Sequence, residues 1–129
     1  MMKSIFIVGC GGFIGAILRY TLGLYITRVC GASLYGTLTV NVIGCFFLGA
    51  LAGLNTRGDI GNTVYSPEVR LMLQTGLLGA LTTFSTFISD IFQLFLKKQL
   101  LWMLCILHLH LVIGFVCFWI AYALTATNQ

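Results

Sequence analysis

The segment GLLGALTTFSTF, residues 76–87, lies in the middle of a long apolar run and combines two glycines with a cluster of hydroxyl side chains. The glycines are Gly76 and Gly79, and the hydroxyl residues are Thr82, Thr83, Ser85 and Thr86. Glycine weakens a helix because its backbone is the least restricted, and serine and threonine compete with the backbone for hydrogen bonds. This segment therefore decides whether one helix passes through it or two shorter helices meet within it.

The chain as a whole has the composition of a membrane protein. Of its 129 residues, 59% are hydrophobic and 8% are charged, whereas a soluble domain has roughly 25% charged residues. The net charge of +4 is scattered, and no basic stripe for nucleic acid is present. Five cysteines show no C-x-x-C spacing, which argues against a zinc site or a disulfide framework.

Four apolar segments are long enough to span a bilayer, which takes roughly 20 helical residues. They cover about 4–27, 35–54, 67–96 and 100–124. The third is introduced by Ser66, Pro67 and Glu68, a sequence typical of a helix start. We therefore predict an all-α integral membrane protein in which the whole chain, 1–129, forms one transmembrane domain.

The distribution of basic residues does not favour one orientation of the chain in the membrane. Four spans put both termini on one face, and each face carries three cations: Lys3, Arg57 and Arg70 on one, and Arg28, Lys97 and Lys98 on the other. Orientation follows an excess of Lys and Arg on one face, so the chain either inserts both ways round or is oriented by another signal. Insertion both ways would permit an antiparallel homodimer.

Small residues recur four apart in the first two spans, at Gly11 and Gly15 and at Gly49 and Gly53. Such pairs let helix backbones approach closely, although glycine is also common in membrane helices in general. Four short spans enclose little space, so a solute pathway would form more naturally between two subunits. Both observations are compatible with a dimer.

Arg19 in the first span and Asp90 in the third are candidates for function, because a charge inside a bilayer is costly. A structural interpretation stays open, since Arg19 can extend to the interface and Asp90 lies near the end of its span.

The first, second and fourth spans contain no acid, which argues against a proton-coupled exporter. No acid pair or activated nucleophile is evident, so we do not expect an enzyme.

Three further polar residues inside the spans are candidates for a metal site or a polar path. His108 and His110 are two residues apart, and side chains at that spacing on a helix point to nearly opposite sides, which argues against a shared metal ion.

Asn41 lies near the start of the second span. A buried amide there either bridges two helices or lines a wet path, and the residue type alone does not distinguish the two.

The hydroxyl-rich segment admits two structures. In a continuous helix, the hydroxyls bond back to carbonyls one turn earlier. In a broken helix, Gly76 and Gly79 loosen the backbone around residues 81–83. The first half-helix then leaves carbonyls free for a cation, and the second leaves amide groups free for an anion.

Phe84 and Phe87, three residues apart, would share one face of the second half-helix, about 4.5 Å apart along its axis. Aromatic rings have a positive edge, which suits contact with a small anion in a narrow path. The other interpretation is that both rings pack against a neighbouring helix.

Three blocks of this sequence resemble the Fluc (CrcB) family of fluoride channels: GGFIGAILRY (11–20), GTLTVNVIGCFFLG (36–49) and GLLGALTTFSTF (76–87). The resemblance implies a four-helix subunit whose third helix is broken at mid-membrane, and an antiparallel, dual-topology dimer. It also implies passive export of fluoride from the cytoplasm through two narrow pores, a structural sodium ion at the dimer centre, and a location in the cell's inner or plasma membrane.

The resemblance also assigns roles to individual residues. It implies that the backbone carbonyls of Gly79 and Thr82 hold sodium and are shared with the partner chain. The fluoride pathway would be formed by Asn41, Thr83, Phe84, Ser85 and Phe87. The fourth helix departs from the family, with His110 and Gly114 at positions of a Ser/Thr track and Ile106 where an aromatic hydroxyl often lies.

Two alternatives follow from these departures. One is a subunit that does not conduct, or that conducts only when paired with a related chain. The other is a small proton-coupled exporter, which would need a carboxylate in the first span, where this chain has Arg19.

Overall fold

The computed structural model describes residues 1–56 and 65–126, and within these ranges every regular element is helical. In chain order the elements are α1 (Met2–Cys30), α2 (Ser33–Asn55), α3 (Pro67–Arg70), a π-helix (Leu71–Leu78), α4 (Gly79–Leu81), α5 (Phe84–Leu96) and α6 (Leu100–Thr125). Arg57 and most of the polar loop that follows it lie outside the described residues.

Among the described residues, four helical stretches are long and apolar enough to cross a membrane: Met2–Cys30, Ser33–Asn55, Pro67–Leu96 and Leu100–Thr125. The predicted spans coincide with these, and the largest difference is at the first, which extends to Cys30 rather than ending near residue 27. Lys3 and Glu68 form an ion pair of 3.0 Å, so the first and third stretches begin at the same end of the molecule.

Local signals set the ends of these helices. Gly31 has φ 79, a left-handed conformation that favours glycine, and its N–H donates to the Thr27 carbonyl. This turn leads directly into α2. Ser66 caps α3 by accepting a hydrogen bond from the Val69 N–H at 3.3 Å, with Pro67 at the first helical position. The helix start predicted from Ser66, Pro67 and Glu68 is therefore confirmed.

The third stretch is not a uniform α-helix. It contains an eight-residue π-helix, Leu71–Leu78, that the sequence analysis did not predict. This π-helix packs against α1 at Gly11 and Gly15, where an added Cβ would overlap the carbonyl oxygens of Met72 and Leu77 respectively. The close approach explains why α1 carries glycine at these two positions.

The second glycine pair has the same role between other helices. A Cβ at Gly49 would overlap the carbonyl of Phe118 on α6, and one at Gly53 would overlap the Thr125 hydroxyl. Both small-residue pairs therefore serve packing within one chain. A small core of Val40, Leu78 and Leu81 lies between α2 and the third stretch.

The glycine packing predicts opposite effects for one substitution at two positions of α1. Gly15→Ala is expected to lower the free energy of unfolding by about 1–3 kcal/mol, because the new methyl group overpacks against the Leu77 carbonyl. Gly9→Ala is the matched control, since among the described residues nothing beyond the neighbouring backbone of its own helix lies within 4 Å of its Cβ position.

Gly9→Ala should leave stability unchanged or raise it slightly through helix propensity. Unfolding of both variants in detergent, followed by circular dichroism, measures the difference. Equal stability of the two variants would contradict the packing described here.

Candidate functional site

The backbone leaves helical geometry at two residues of the hydroxyl-rich segment. Thr82 has φ −81 and ψ 154, and Thr83 has φ −148 and ψ 113, both extended conformations between α4 and α5. The Thr82 N–H still donates to the Leu78 carbonyl at 3.1 Å, so helical bonding ends with that residue. Of the two structures that the sequence admitted, the chain adopts the interrupted one.

The Asn41 side chain replaces the hydrogen bonds that the helix loses at Thr83. The Thr83 N–H donates to Asn41 Oδ1 at 2.8 Å, and Asn41 Nδ2 donates to the Thr83 carbonyl at 3.1 Å. In a continuous helix the same N–H would donate to the carbonyl of Gly79. Asn41 therefore bridges two helices, and it leaves the Gly79 carbonyl without its helical donor.

The hydroxyl of Thr83 caps the helix that follows. Thr83 Oγ1 accepts a hydrogen bond from the Thr86 N–H at 3.2 Å, and it lies 2.9 Å from Thr86 Oγ1 and 3.3 Å from Ser85 Oγ. Only Thr82 bonds back within the earlier helix, to the Leu78 carbonyl at 3.1 Å. Three of the four hydroxyls thus belong to the start of α5.

Phe84 and Phe87 have very different surroundings, although their ring centroids are only 6.0 Å apart. Phe87 is 5% exposed and packs against the ring of His110, with centroids 4.4 Å apart. Phe84 is 73% exposed and projects from the chain. One ring is therefore fixed within the subunit, and the other is available to lipid or to a second chain.

An open groove of about 360 Å³, here called the α2–α6 groove, brings most of the predicted site residues together. Its lining includes Asn41, Gly79, Thr82, Thr83, Phe84, Phe87 and His110. Ser85 and Arg19 do not line it. The groove combines amide, hydroxyl, carbonyl and aromatic groups around the interruption of the helix.

Arg19 lies on the other side of the interruption. Its Nη1 is 3.5 Å from the Thr82 carbonyl oxygen, and it lines a second groove between α1 and α2 that is also about 360 Å³. Thr83 lines both grooves. Arg19 therefore points towards the interrupted backbone, which differs from the structural interpretation in which it extends to the interface.

Asp90 is 6% exposed and is held by two hydroxyl groups of α2. It accepts hydrogen bonds from Ser33 Oγ at 2.9 Å and from Thr37 Oγ1 at 2.6 Å. The Asp90 carboxylate therefore joins α5 to α2 through two hydrogen bonds. The interpretation from the sequence, in which Asp90 lies near the end of its span, does not account for these bonds.

Ser33, Thr37 and Asn41 form one polar stripe along α2, at a spacing of four residues. Ser33 and Thr37 hold Asp90, and Asn41 holds Thr83, so the stripe fixes α5 at both of these points. Asn41 was identified from the sequence by itself, and its two companions were not. Their common spacing was the signal that could have identified them.

The two histidines of α6 make the same backbone contact on different sides of the helix. His108 Nδ1 lies 2.7 Å from the Leu104 carbonyl, and His110 Nδ1 lies 3.2 Å from the Ile106 carbonyl. His108 is exposed, whereas His110 Nε2 is buried and has no hydrogen-bond partner among residues 1–56 and 65–126. The other two residues of this helix that were singled out from the sequence lie inside the subunit: Ile106 is 2% exposed, and Gly114 lies next to the Cys45 sulfur atom.

The fold and the site together define a small, four-span helical protein whose third span is interrupted beside a polar groove. Residues 6–122 match the family described as "CrcB-like protein, Camphor Resistance (CrcB)", and the chain belongs to this family. The resemblance seen in the three sequence blocks is thereby confirmed.

Named relatives cover most of the chain. A protein of Shewanella sp. (strain W3-18-1) is 39% identical over 122 residues, covering 94% of this chain and 92% of the relative. One from Shewanella frigidimarina (strain NCIMB 400) is 40% identical over the same shares. One from Haemophilus influenzae (strain PittGG) is 38% identical, covering 85% and 83%.

All three relatives bear the name "Fluoride-specific ion channel FluC". An ion-channel family agrees with the expectation that the chain is not an enzyme. With four long apolar helices in the part of it that the structure describes, and with ion-channel relatives, the chain is a multi-pass membrane protein.

The bridge between Asn41 and Thr83 predicts a large stability loss for Asn41→Leu. This substitution leaves the buried N–H and C=O groups of Thr83 unpaired. Each unpaired group is expected to lower the free energy of unfolding by about 1–3 kcal/mol. Thr39→Val is the matched control on the same helix, because among the described residues the Thr39 hydroxyl bonds only to the Tyr35 carbonyl of its own helix. We expect a change within about 0.5 kcal/mol for that control.

Thermal unfolding of the purified variants, compared with the unmodified protein, measures both effects. A midpoint for Asn41→Leu equal to that of Thr39→Val would show that the bridge contributes nothing to stability.

Proposed function

We propose that this chain forms a passive, fluoride-selective channel that exports fluoride from the cytoplasm across the inner or plasma membrane. The observation that carries the proposal is the α2–α6 groove, in which the helix interruption, Asn41 and Phe87 come together. The name of the relatives as fluoride-specific channels supports the choice of ion.

Groups suited to a small anion are present on one side of the interruption. The first N–H groups of α5, at Phe84 and Ser85, have no helical acceptor and lie at the positive end of the helix dipole. Asn41 Nδ2 uses one hydrogen for Thr83 and keeps a second for a ligand. Fluoride loses strong hydration on entering such a site, and donors in series with the Phe87 ring edge offset that cost.

A structural sodium ion is part of the proposal, and the carbonyls of Gly79 and Thr82 are its candidate ligands. The Gly79 carbonyl lacks its helical donor because the Thr83 N–H bonds to Asn41. Free carbonyls at the end of a half-helix are suitable Na⁺ ligands. One chain offers two such groups, and a second, antiparallel copy would double the set. Arg19 lies near the Thr82 oxygen and would share that carbonyl with the ion or turn away from it.

An antiparallel, dual-topology homodimer would complete the pathway. Phe84 is 73% exposed beside the open groove, which suits a ring that a second chain covers. The glycine pairs are already used inside the subunit, so the dimer contact must come from other surfaces. The interruption would then lie near mid-membrane, at the contact between the two copies.

The proton-coupled exporter has less support. It needs a carboxylate that exchanges protons with both sides of the membrane, whereas Asp90 is buried and bonded to Ser33 and Thr37. The chain that conducts only with an unlike partner remains a second candidate, because His110 departs from the Ser/Thr track that the family resemblance implies for the fourth helix.

Fluoride efflux from liposomes containing only this purified chain tests the proposed function. We expect fluoride to move only down its own electrochemical gradient, with no fluoride uptake driven by an imposed proton gradient, and no chloride efflux under the same conditions. Absence of fluoride efflux would contradict a homodimeric channel, and efflux that requires co-reconstitution with a related chain would favour the unlike pair. Fluoride uptake against its own gradient, driven by the proton gradient, would favour an exchanger.

In the same assay Phe84→Ile is expected to abolish fluoride flux and leave the dimer intact, because it removes an exposed ring beside the pathway. Phe95→Ile is the matched control, since Phe95 lies on the same helix and is 53% exposed. Flux at the unmodified rate in Phe84→Ile, or equal losses in both variants, would remove Phe84 from the mechanism.

A further inference from the structure

His110 has one ring nitrogen with a structural partner and one without. Nδ1 lies 3.2 Å from the Ile106 carbonyl oxygen. A backbone carbonyl only accepts hydrogen bonds, so Nδ1 carries a hydrogen and donates it. In neutral imidazole Nε2 is then the unprotonated nitrogen, and in imidazolium it becomes a second N–H donor.

Nε2 is buried, and none of the described residues offers it a hydrogen bond. Leaving a buried polar atom unpaired costs about 1–3 kcal/mol, so such an atom normally has a partner. The His110 ring is fixed against Phe87, at 4.4 Å between centroids, and it lines the α2–α6 groove with Asn41 and Thr83. The missing partner is therefore best sought among the contents of this groove.

The charge of the ring decides which partner is acceptable. A neutral ring directs a lone pair at its surroundings and repels an anion, whereas an imidazolium ring offers an N–H to it. A hydrogen bond between two charged groups is roughly twice as strong as a neutral one. We infer that protonated His110 is an anion-binding group of the groove, so that fluoride and a proton occupy the site together. This inference rests on the proposed function.

The neighbouring titratable groups are compatible with this role. The helices packed against this part of α6 are α2 and α5, and they contribute Cys45 and Asp90. Asp90 lies one helical turn after Phe87. Burial of His110 disfavours a charged ring, and the negative charge of Asp90 opposes that cost. Asp90 is already bonded to Ser33 and Thr37, so it stays in place as the ring titrates. Among the groove's lining residues none is lysine or arginine.

His108 provides an internal control. It makes the same contact four residues back, to the Leu104 carbonyl, but its ring is exposed and does not line the groove. The inference assigns proton dependence to His110 and none to His108. A general effect of histidines in α6 would not make this distinction.

The test is fluoride efflux from liposomes between about pH 6 and about pH 8, the range in which imidazole titrates. Protein-free liposomes at each pH measure diffusion of hydrogen fluoride through lipid, and this rate is subtracted. For the unmodified chain and for His108→Gln, we expect flux to fall by about tenfold over this range. His110→Gln keeps a donor amide but cannot titrate, so its flux should not change with pH.

The outcomes separate the two proposals. Absence of fluoride flux in the unmodified chain at every pH refutes the proposed function and with it the role of His110. Fluoride flux whose pH profile is the same in His110→Gln as in the unmodified chain refutes the role of His110 alone. Loss of dimer stability in His110→Gln with an unchanged pH profile would assign Nε2 to the partner chain, and it would overturn the inference.

A second measurement needs no variant at the groove. Nitrogen-15 NMR of imidazole distinguishes neutral from charged rings. Sodium fluoride added near neutral pH is expected to convert the His110 signals to those of imidazolium and to leave the His108 signals unchanged. Equal responses of the two rings, or no response of His110, would overturn the inference even if His110→Gln failed to fold.

Discussion

The paired hydrogen bonds between the Asn41 side chain and the Thr83 backbone are the interaction on which the rest of the site depends. They satisfy both polar groups of a residue that has left the helix, so the interruption carries no unpaired backbone at that point. Because the Thr83 N–H bonds to Asn41, it does not donate to the Gly79 carbonyl as it would in a continuous helix. A single side chain therefore stabilises the interruption and determines which groups it exposes.

Two other features hold the interrupted segment in position. On one side, Gly11 and Gly15 let α1 approach the π-helix closely, which fixes the half of the third span that precedes the interruption. On the other side, Ser33 and Thr37 hold Asp90, which fixes α5 against α2. Since Asn41 continues the same stripe, α2 holds both the start of α5 and a point two turns along it. The lining of the groove comes from these helices and from the interruption at Thr82 and Thr83.

Much of this arrangement could be predicted from the sequence, for identifiable reasons. The four spans follow from long apolar runs, and the helix start at Ser66 follows from its capping sequence. The position of the interruption followed from glycine and hydroxyl residues in one apolar segment. Asn41 was identified as a bridge or a path residue because a buried amide needs partners.

Other features depend on contacts between helices that no local pattern reveals. The π-helix Leu71–Leu78 has an ordinary apolar sequence, and only its packing against α1 distinguishes it. Burial of Asp90 depends on two hydroxyls that lie more than 50 residues earlier in the chain. The unequal exposure of Phe84 and Phe87, and the unpaired nitrogen of His110, arise from how α5 and α6 meet.

A cryo-electron microscopy structure of the chain in lipid nanodiscs with sodium fluoride would test the central claim most directly. The account predicts that Thr82 and Thr83 are extended and lie near mid-membrane, and that both Asn41 hydrogen bonds to Thr83 are present. It also predicts a second copy of opposite orientation against the same segment. A third helix that continues unbroken through Thr83, with the Asn41 amide turned away from it, would contradict the account.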